Sequence, residues 1–379
     1  MDKLDYTLKL EEIQEIKRKI REIKRQVTKL IEKSEILRRK RILKKYSTLV
    51  QAAILYIVEK LSFQRLSDVM AAKYGISMSD TAWKKQIKKI APIFYEVMMT
   101  YLSRKSKGVE GNNIFGYSSY AIDATDISLE GKRGTVLRAH TAYSLSKKAY
   151  FKAHIADIHI GESVKLHNVK ANSLYFADRA YGKTPQMEYM LVNNAEFVFR
   201  FSPSQVRLYK DADCAEKIDF RSYLSNINVA SSSICFFKGK NRVYKIRVII
   251  SPIPKEKVEN ETIKAKNKSV KKQNKLSQST LIYAKYLFLA TSLSDVIPSE
   301  QIVLAYKKRW QIELHFKRSK SLLRFHRLRH CSYSYAFSIV SIWLAVTALV
   351  YSLFCSLLSR FSFDISIFNT FSLFAFLIS

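Results

Sequence analysis

A chain of 379 residues is long enough to bury a sizeable core and to form two or three domains. Its 65 Lys and Arg against 32 Asp and Glu leave a net charge of +33, a field that concentrates a polyanion such as nucleic acid and that an anionic membrane surface would also feel. The start, Met1-Asp-Lys-Leu-Asp-Tyr6, lacks the apolar core of a signal peptide. Cys214, Cys235, Cys331 and Cys355 contain no C-x-x-C pair, which argues against a zinc site or a disulfide framework and points to a reducing cytoplasm.

Residues 1–50 read as a basic amphipathic helix. Ile13, Ile16, Ile20, Ile23, Val27 and Leu30 step by three and four, a short heptad seam flanked by Lys and Arg. Residues 51–110 read as helix-turn-helix-like. One helix is predicted from Ser62 to Tyr74, Gly75-Ile-Ser makes a turn, and Ser79 or Asp80 caps a second helix carrying Lys84, Lys85, Lys88 and Lys89. Those lysines are candidate DNA contacts that position rather than specify. From 115 to 202 the pattern turns to β, with strands predicted at 117–123, 135–145, 150–159, 174–177 and 197–202, a helical connection near 161–170 and a helix near 185–193. Residues 203–297 hold more strand-prone sequence, interrupted by Lys255 to Ser279, a tract too polar to pack. Residues 336–359 carry no charge and are long enough for a membrane span. Ser338, Ser341, Thr347, Ser352 and Ser356 dilute their hydrophobicity and favour a buried core helix. The Ser- and Phe-rich stretch 360–379 is atypical and reads as a truncated or frameshifted tail.

The densest chemistry lies in Tyr306-Lys-Lys-Arg309-Trp310-Gln-Ile-Glu313-Leu-His-Phe-Lys-Arg-Ser-Lys320. The steps 306 to 309, 309 to 313 and 313 to 320 place Tyr306, Arg309, Glu313 and Lys320 on one face of a helix. One carboxylate among a phenol, a guanidinium and an ammonium can serve a metal ion beside a phosphate. Any two of these residues alone would read as ordinary pairing on a surface helix, and His315 has no assigned role. Two further acids close apolar runs: Asp123 in Tyr117-Ser-Ser-Tyr-Ala-Ile-Asp123-Ala-Thr, and Asp178 in Leu174-Tyr-Phe-Ala-Asp178-Arg-Ala-Tyr-Gly182. Either could be a simple turn residue. Asp126 and Asp157 are weaker competitors for the first position.

The Y-x2-R-x3-E-x6-K spacing, Asp123-Ala-Thr and Asp178-Arg-Ala-Tyr-Gly together resemble the DDE transposases of the insertion-sequence-four family. The resemblance implies an α/β chain with a ribonuclease H-like catalytic core over 115–202 and 298–359, a β-rich insertion over 203–297 and an all-α amino-terminal DNA-binding region. It also implies that Asp123, Asp178 and Glu313 bind two Mg²⁺ or Mn²⁺ ions, while Tyr306, Arg309 and Lys320 grip DNA phosphates. Trp310 is a candidate for base stacking. The function implied is cleavage at terminal inverted repeats and joining of the ends to target DNA, with double-stranded DNA as partner, a homodimer in the synaptic complex, and a prokaryotic cytoplasmic, nucleoid-associated location. Rival readings are a ribonuclease H-like nuclease without strand transfer, an inactive DNA-binding remnant, and a membrane-attached basic protein.

Overall fold

The computed structural model describes residues 18, 21, 25, 28–33, 43, 45–59, 61–105, 113–129, 135–146, 149–224, 227–271, 273, 277–323, 327–328 and 336–342. Most of the predicted heptad seam and all of the tail 360–379 lie outside them.

Before the first strand come α1 (Tyr46–Val58), α2 (Phe63–Tyr74) and α3 (Asp80–Lys105), and the described residues 28–33 are helical as well. Helix α1 crosses residue 50, where the sequence pattern placed a boundary. Ser62 caps α2, its hydroxyl accepting the Arg65 N–H, and Gly75 ends it at φ 64, a left-handed position that suits a residue without Cβ. Along α3 the apolar stripe Trp83, Ile87, Ile90, Ala91 and Phe94 is buried, whereas Lys84, Lys85, Lys88 and Lys89 are exposed. The stripe packs with α1, α2 and the helical residues 336–342 against Ile127, Leu137, Ala139, Ala153 and Ile155 of the sheet. A hydroxyl bond from Tyr95 to the carbonyl of Ala153 adds a polar tie.

The sheet runs β3-β2-β1-β4-β5-β8-β7-β6, with β9 (Arg327–Leu328) added beside β1. Strands β1 (Ser118–Leu129), β2 (Thr135–Ser144) and β3 (Ala149–Asp157) form an antiparallel meander, while β4 (Ser173–Ala177) and β5 (Glu196–Arg200) run parallel to β1. The parallel strands are short apolar runs covered on both faces, as such strands usually are. Side-chain alternation sends Tyr175 and Ala177 of β4 to one face, with α4 (Thr184–Val192), and Leu174 and Phe176 to the other. On that second face lies α8 (Ser299–Lys307), through Ile302, Ala305 and Tyr306.

Between β5 and α8 come α5 (Phe220–Leu224), β6 (Ser231–Lys238), β7 (Val243–Pro252), α6 (Lys255–Lys271), α7 (Gln278–Tyr283) and β8 (Tyr286–Thr291). These strands extend the sheet rather than forming one of their own, since β8 pairs antiparallel with β5 and β7 with β8. Arg247 of β7 fixes the entry to α8, donating to the carbonyls of Ser294 and Ile297 at 2.9 and 2.7 Å and to the Ser299 hydroxyl at 2.8 Å. The polar tract expected not to pack instead begins with α6. Its Lys and Glu residues are good helix formers, and polarity is no obstacle to a helix that stays largely exposed. Among the described residues no helix is long and apolar enough to cross a membrane; of 336–359, residues 336–342 are described, and they are helical and mostly buried.

Candidate active site

The register of the two central strands brings the aspartates together. Parallel pairing of β1 with β4 ends at Ile122 and Ala177, so Asp123 and Asp178 are the next position on each chain. Adjacent strands lie about 4.8 Å apart, and both residues share the face of Leu174 and Phe176. Asp123 is not at the end of its strand, as its sequence suggested. Strand β1 continues to Leu129 against β2, and it is β4 that departs, turning at Asp178. The two acids lie where the chains diverge, at the carboxyl end of parallel strands, the usual place for a site in such a sheet.

Each aspartate is held by its own backbone. Asp123 Oδ1 accepts the Ala124 N–H at 2.8 Å, and Asp178 Oδ1 accepts the Ala180 N–H at 2.9 Å within the Asp178–Gly182 turn. The third acid arrives on α9 (Trp310–Leu323), which lies against β1. The expected single helix from Tyr306 to Lys320 is interrupted. Lys308 and Arg309 form tight turns, with the Lys308 N–H donating to Ala305 and the Arg309 N–H to Tyr306, both at 3.0 Å. Tyr306 therefore lies in the last turn of α8 and packs into the core, while Glu313 lies in the first turn of the next helix. Arg309 at the junction spans two acids: Nη1 lies 3.7 Å from Asp123 Oδ2, and Nη2 bonds Glu313 Oε1 at 2.5 Å.

The electrostatics follow from crowding. Burial, then the charge of Asp178, push the Asp123 carboxyl up from 3.8 to about 7; Glu313 adds to the rise, while the Ala124 N–H and Arg309 oppose it. Burial alone would lower the Arg309 pKa, but Tyr306, Glu313 and Asp123 more than reverse this and raise it. Tyr306 is raised by burial. Its hydroxyl has no hydrogen-bond partner among the described residues, nor have Arg309 Nε and Nη1. Such orphaned donors beside carboxylates invite an additional ligand. The chemistry of the three carboxylates fits a hard divalent cation with oxygen ligands. Among the described residues, however, no three acids already stand close enough to form a metal cage, and the guanidinium is the cation nearest Asp123 and Glu313.

Asp123 carries a direct stability consequence. Between pH of about 4 and 7 the folded chain binds more protons at this carboxyl than the unfolded chain does, so its contribution to stability falls as pH rises through that window. Asp123→Asn is expected to raise the unfolding midpoint at neutral pH, in buffer with a metal chelator, by a few degrees, and to gain little near pH 4. A midpoint gain that is the same at both pH values would show that the buried charge is not the cause.

The competitors are occupied elsewhere. Asp126 accepts Arg138 Nε at 2.8 Å across the β1–β2 pair, and Asp157 accepts the His159 N–H at the far end of β3. Trp310 is 46% exposed and so is not a core residue; the Lys317 ammonium lies 4.5 Å from its ring centroid. Lys320 lies in α9, half-buried. Lys84, Lys85, Lys88 and Lys89 belong to the helical layer, on α3.

Sequence reasoning overlooked several neighbours. Glu162 has its pKa raised by burial and then by Asp178, and Tyr181 interacts with Glu162, Asp123 and Asp178. The Arg179 charge interacts with Asp178 and Tyr306, and the Arg200 charge with Tyr306 and Arg179. Arg200 had a readable signal, a charge closing the apolar run Glu196-Phe-Val-Phe-Arg200; Glu162 sits in an irregular loop with none.

The family model described as Transposase DDE domain matches residues 114–351. The InsL protein of insertion sequence element IS186A from Escherichia coli (strain K12) is 24% identical over 302 residues, which cover 77% of this chain and 80% of that one. The transposase for insertion sequence element IS421 from Escherichia coli is 24% identical over 303 residues, covering 77% and 81%.

Proposed function

The chain belongs to the transposase DDE domain family, and from that premise we propose that it cuts DNA at the inverted repeats ending its own mobile element and joins the freed ends to target DNA. The observation that carries this reading is the register step placing Asp123 beside Asp178, with Glu313 reaching the same point through Arg309. The antiparallel β1–β3 meander with parallel β4 and β5 supports a ribonuclease H-like core, with 203–297 as its insertion.

Asp123, Asp178 and Glu313 would hold the Mg²⁺ or Mn²⁺ ions. Bound there, such ions supply Lewis-acid polarisation of the scissile phosphate and lower the pKa of the attacking water or 3′-hydroxyl. The protein's own groups bind and orient. Arg309, already against two of the acids, meets a phosphate approaching the same carboxylates, and the buried Tyr306 hydroxyl has a donor to offer it. Lys320 adds charge farther along α9. Trp310, exposed with a cation over its ring, offers a surface on which a displaced base can stack. Lys84, Lys85, Lys88 and Lys89 contact the DNA backbone from α3. Two copies, one at each end, form the synaptic complex.

The test is cleavage of a labelled duplex carrying the inverted repeats that flank the gene. Cleavage is expected with Mg²⁺ or Mn²⁺ and not with chelator, and to survive in Asp157→Ala. Joining of the cut end to a second duplex separates a transposase from a simple nuclease. Cleavage that proceeds in chelator would end this reading.

A further inference from the structure

Beside Asp178 lies a second charged cluster that the reading above leaves unused. Arg179 and Arg200 both approach the Glu261 carboxylate, Arg200 in a loose ion pair and Arg179 across a shared cavity wall; burial first, and the Arg200 charge second, lower the Arg179 pKa. Arg200 Nε is buried without a hydrogen-bond partner among the described residues. The carboxylate that faces them comes from the insertion. Glu261, on the helix α6, lies with Oε2 3.9 Å from Arg200 Nη2, while its Oε1 accepts Lys264 Nζ at 2.7 Å. Arg179, Glu261 and Lys264 share the wall of a cavity of about 150 Å³ with Phe201, Tyr283 and Phe288.

We propose that the Glu261 carboxylate is a resident anion, occupying between Arg179 and Arg200 a position that a DNA phosphate takes by displacing it. The inference rests on DNA being the substrate. The contact has the properties of a placeholder. At 3.9 Å it is a loose single approach, not the bidentate fork that arginine makes with a well-seated oxyanion, and side chains 27% and 29% exposed gain little from such a pair. Glu261 would be released together with Lys264, so displacing the carboxylate also turns one ammonium toward the incoming phosphate. Arg179 is the chain neighbour of Asp178, so seating the phosphate there orders the backbone next to the carboxylates. Without DNA, Glu261 keeps stray anions from the two guanidiniums.

The experiment compares the full chain with Glu261→Gln and Glu259→Gln by fluorescence anisotropy. The probe is a short labelled duplex of random sequence, titrated in chelator across a salt series. Both variants remove one negative charge from α6, but Glu259 is exposed and among the described residues faces no arginine pair. Glu261→Gln is expected to tighten binding roughly three- to tenfold more than Glu259→Gln and to steepen log K against log[salt] by about 0.9, one additional phosphate contact. Arg200→Gln should abolish that gain. Equal shifts in the two variants, or a gain that persists without Arg200, overturn the proposal. Should the Gln variant not fold, Glu261→Asp keeps the charge but draws it back from Arg200, and unchanged affinity there overturns the proposal equally. Binding in chelator requires no cleavage, so the outcomes separate. A parent that cleaves but shows no difference between the Glu261 and Glu259 variants sinks only this inference, and a parent that never cleaves but shows the difference sinks only the transposition reading.

Discussion

Alanine at Asp123, Asp178 or Glu313 is expected to slow metal-dependent cleavage of an inverted-repeat duplex on the order of a thousandfold or more. On the proposed metal-binding role, each carboxylate removed would misplace the cation and forfeit several kcal/mol of transition-state stabilisation, at about 1.4 kcal/mol per decade of rate. Binding of the uncut duplex should survive in all three, because in chelator a carboxylate repels phosphate rather than attracting it. Asp126→Ala serves as the comparison, since Asp126 is an exposed partner of Arg138 and not a neighbour of Arg309. A gel shift on the same DNA keeps loss of chemistry distinct from loss of binding. Three variants cutting like the parent would sink the mechanism, and a dead Asp126→Ala beside an active Asp123→Ala would move the first ligand by three residues.

Gly182→Ala should do smaller but still large damage by a different route. A Cβ at this position would lie 2.0 Å from the carbonyl oxygen of Arg200 and 2.8 Å from the Cα of Phe201, both backbone atoms that cannot swing aside. The Asp178–Gly182 turn is thus pressed flat against the end of β5, and one methyl group must lift it. A cost of about 3 kcal/mol is expected, seen as a fall of roughly five degrees in the unfolding midpoint. The lift also displaces Asp178, and a shift of about 1 Å is worth on the order of a hundredfold in rate. Gly161→Ala, with nothing within 4 Å of its added Cβ, should be close to neutral in both assays. If Gly182→Ala melts and cuts like the parent, the turn is not held by β5.

Much of this was legible in the sequence where the signal is local. Ser62 and Gly75 bound α2 through caps that act within one turn of the chain, and Asp178-Arg-Ala-Tyr-Gly182 announces its turn for the same reason. The position of Asp123 within β1 was misread because strand-forming residues, Thr125 and Ile127, continue beyond it; only the departure of β4 makes a site there. The face shared by Tyr306, Arg309, Glu313 and Lys320 assumed one unbroken helix, and the turn at Lys308–Arg309 carries no glycine or proline to mark it. Glu261 and Arg200 are invisible to periodicity, being 61 residues apart and joined only by folding.

The pairing of β5 with β8 also sets an order of events during synthesis. The Thr291 hydroxyl reaches the Phe197 carbonyl across 94 residues, and Glu313 follows Asp178 by 135. At about 5–20 residues per second, a ribosome needs on the order of ten seconds between delivering the second acid and the third. From the completion of β5 at Arg200 until β8 arrives at Thr291, β5 presents one unpaired edge, and until Glu313 is made the nascent chain holds Asp123 and Asp178 without the third acid. On the proposed mechanism, a transcript broken between Asp178 and Glu313 is expected to yield a product unable to cut, and mobility of the element would depend on a message read intact through α9.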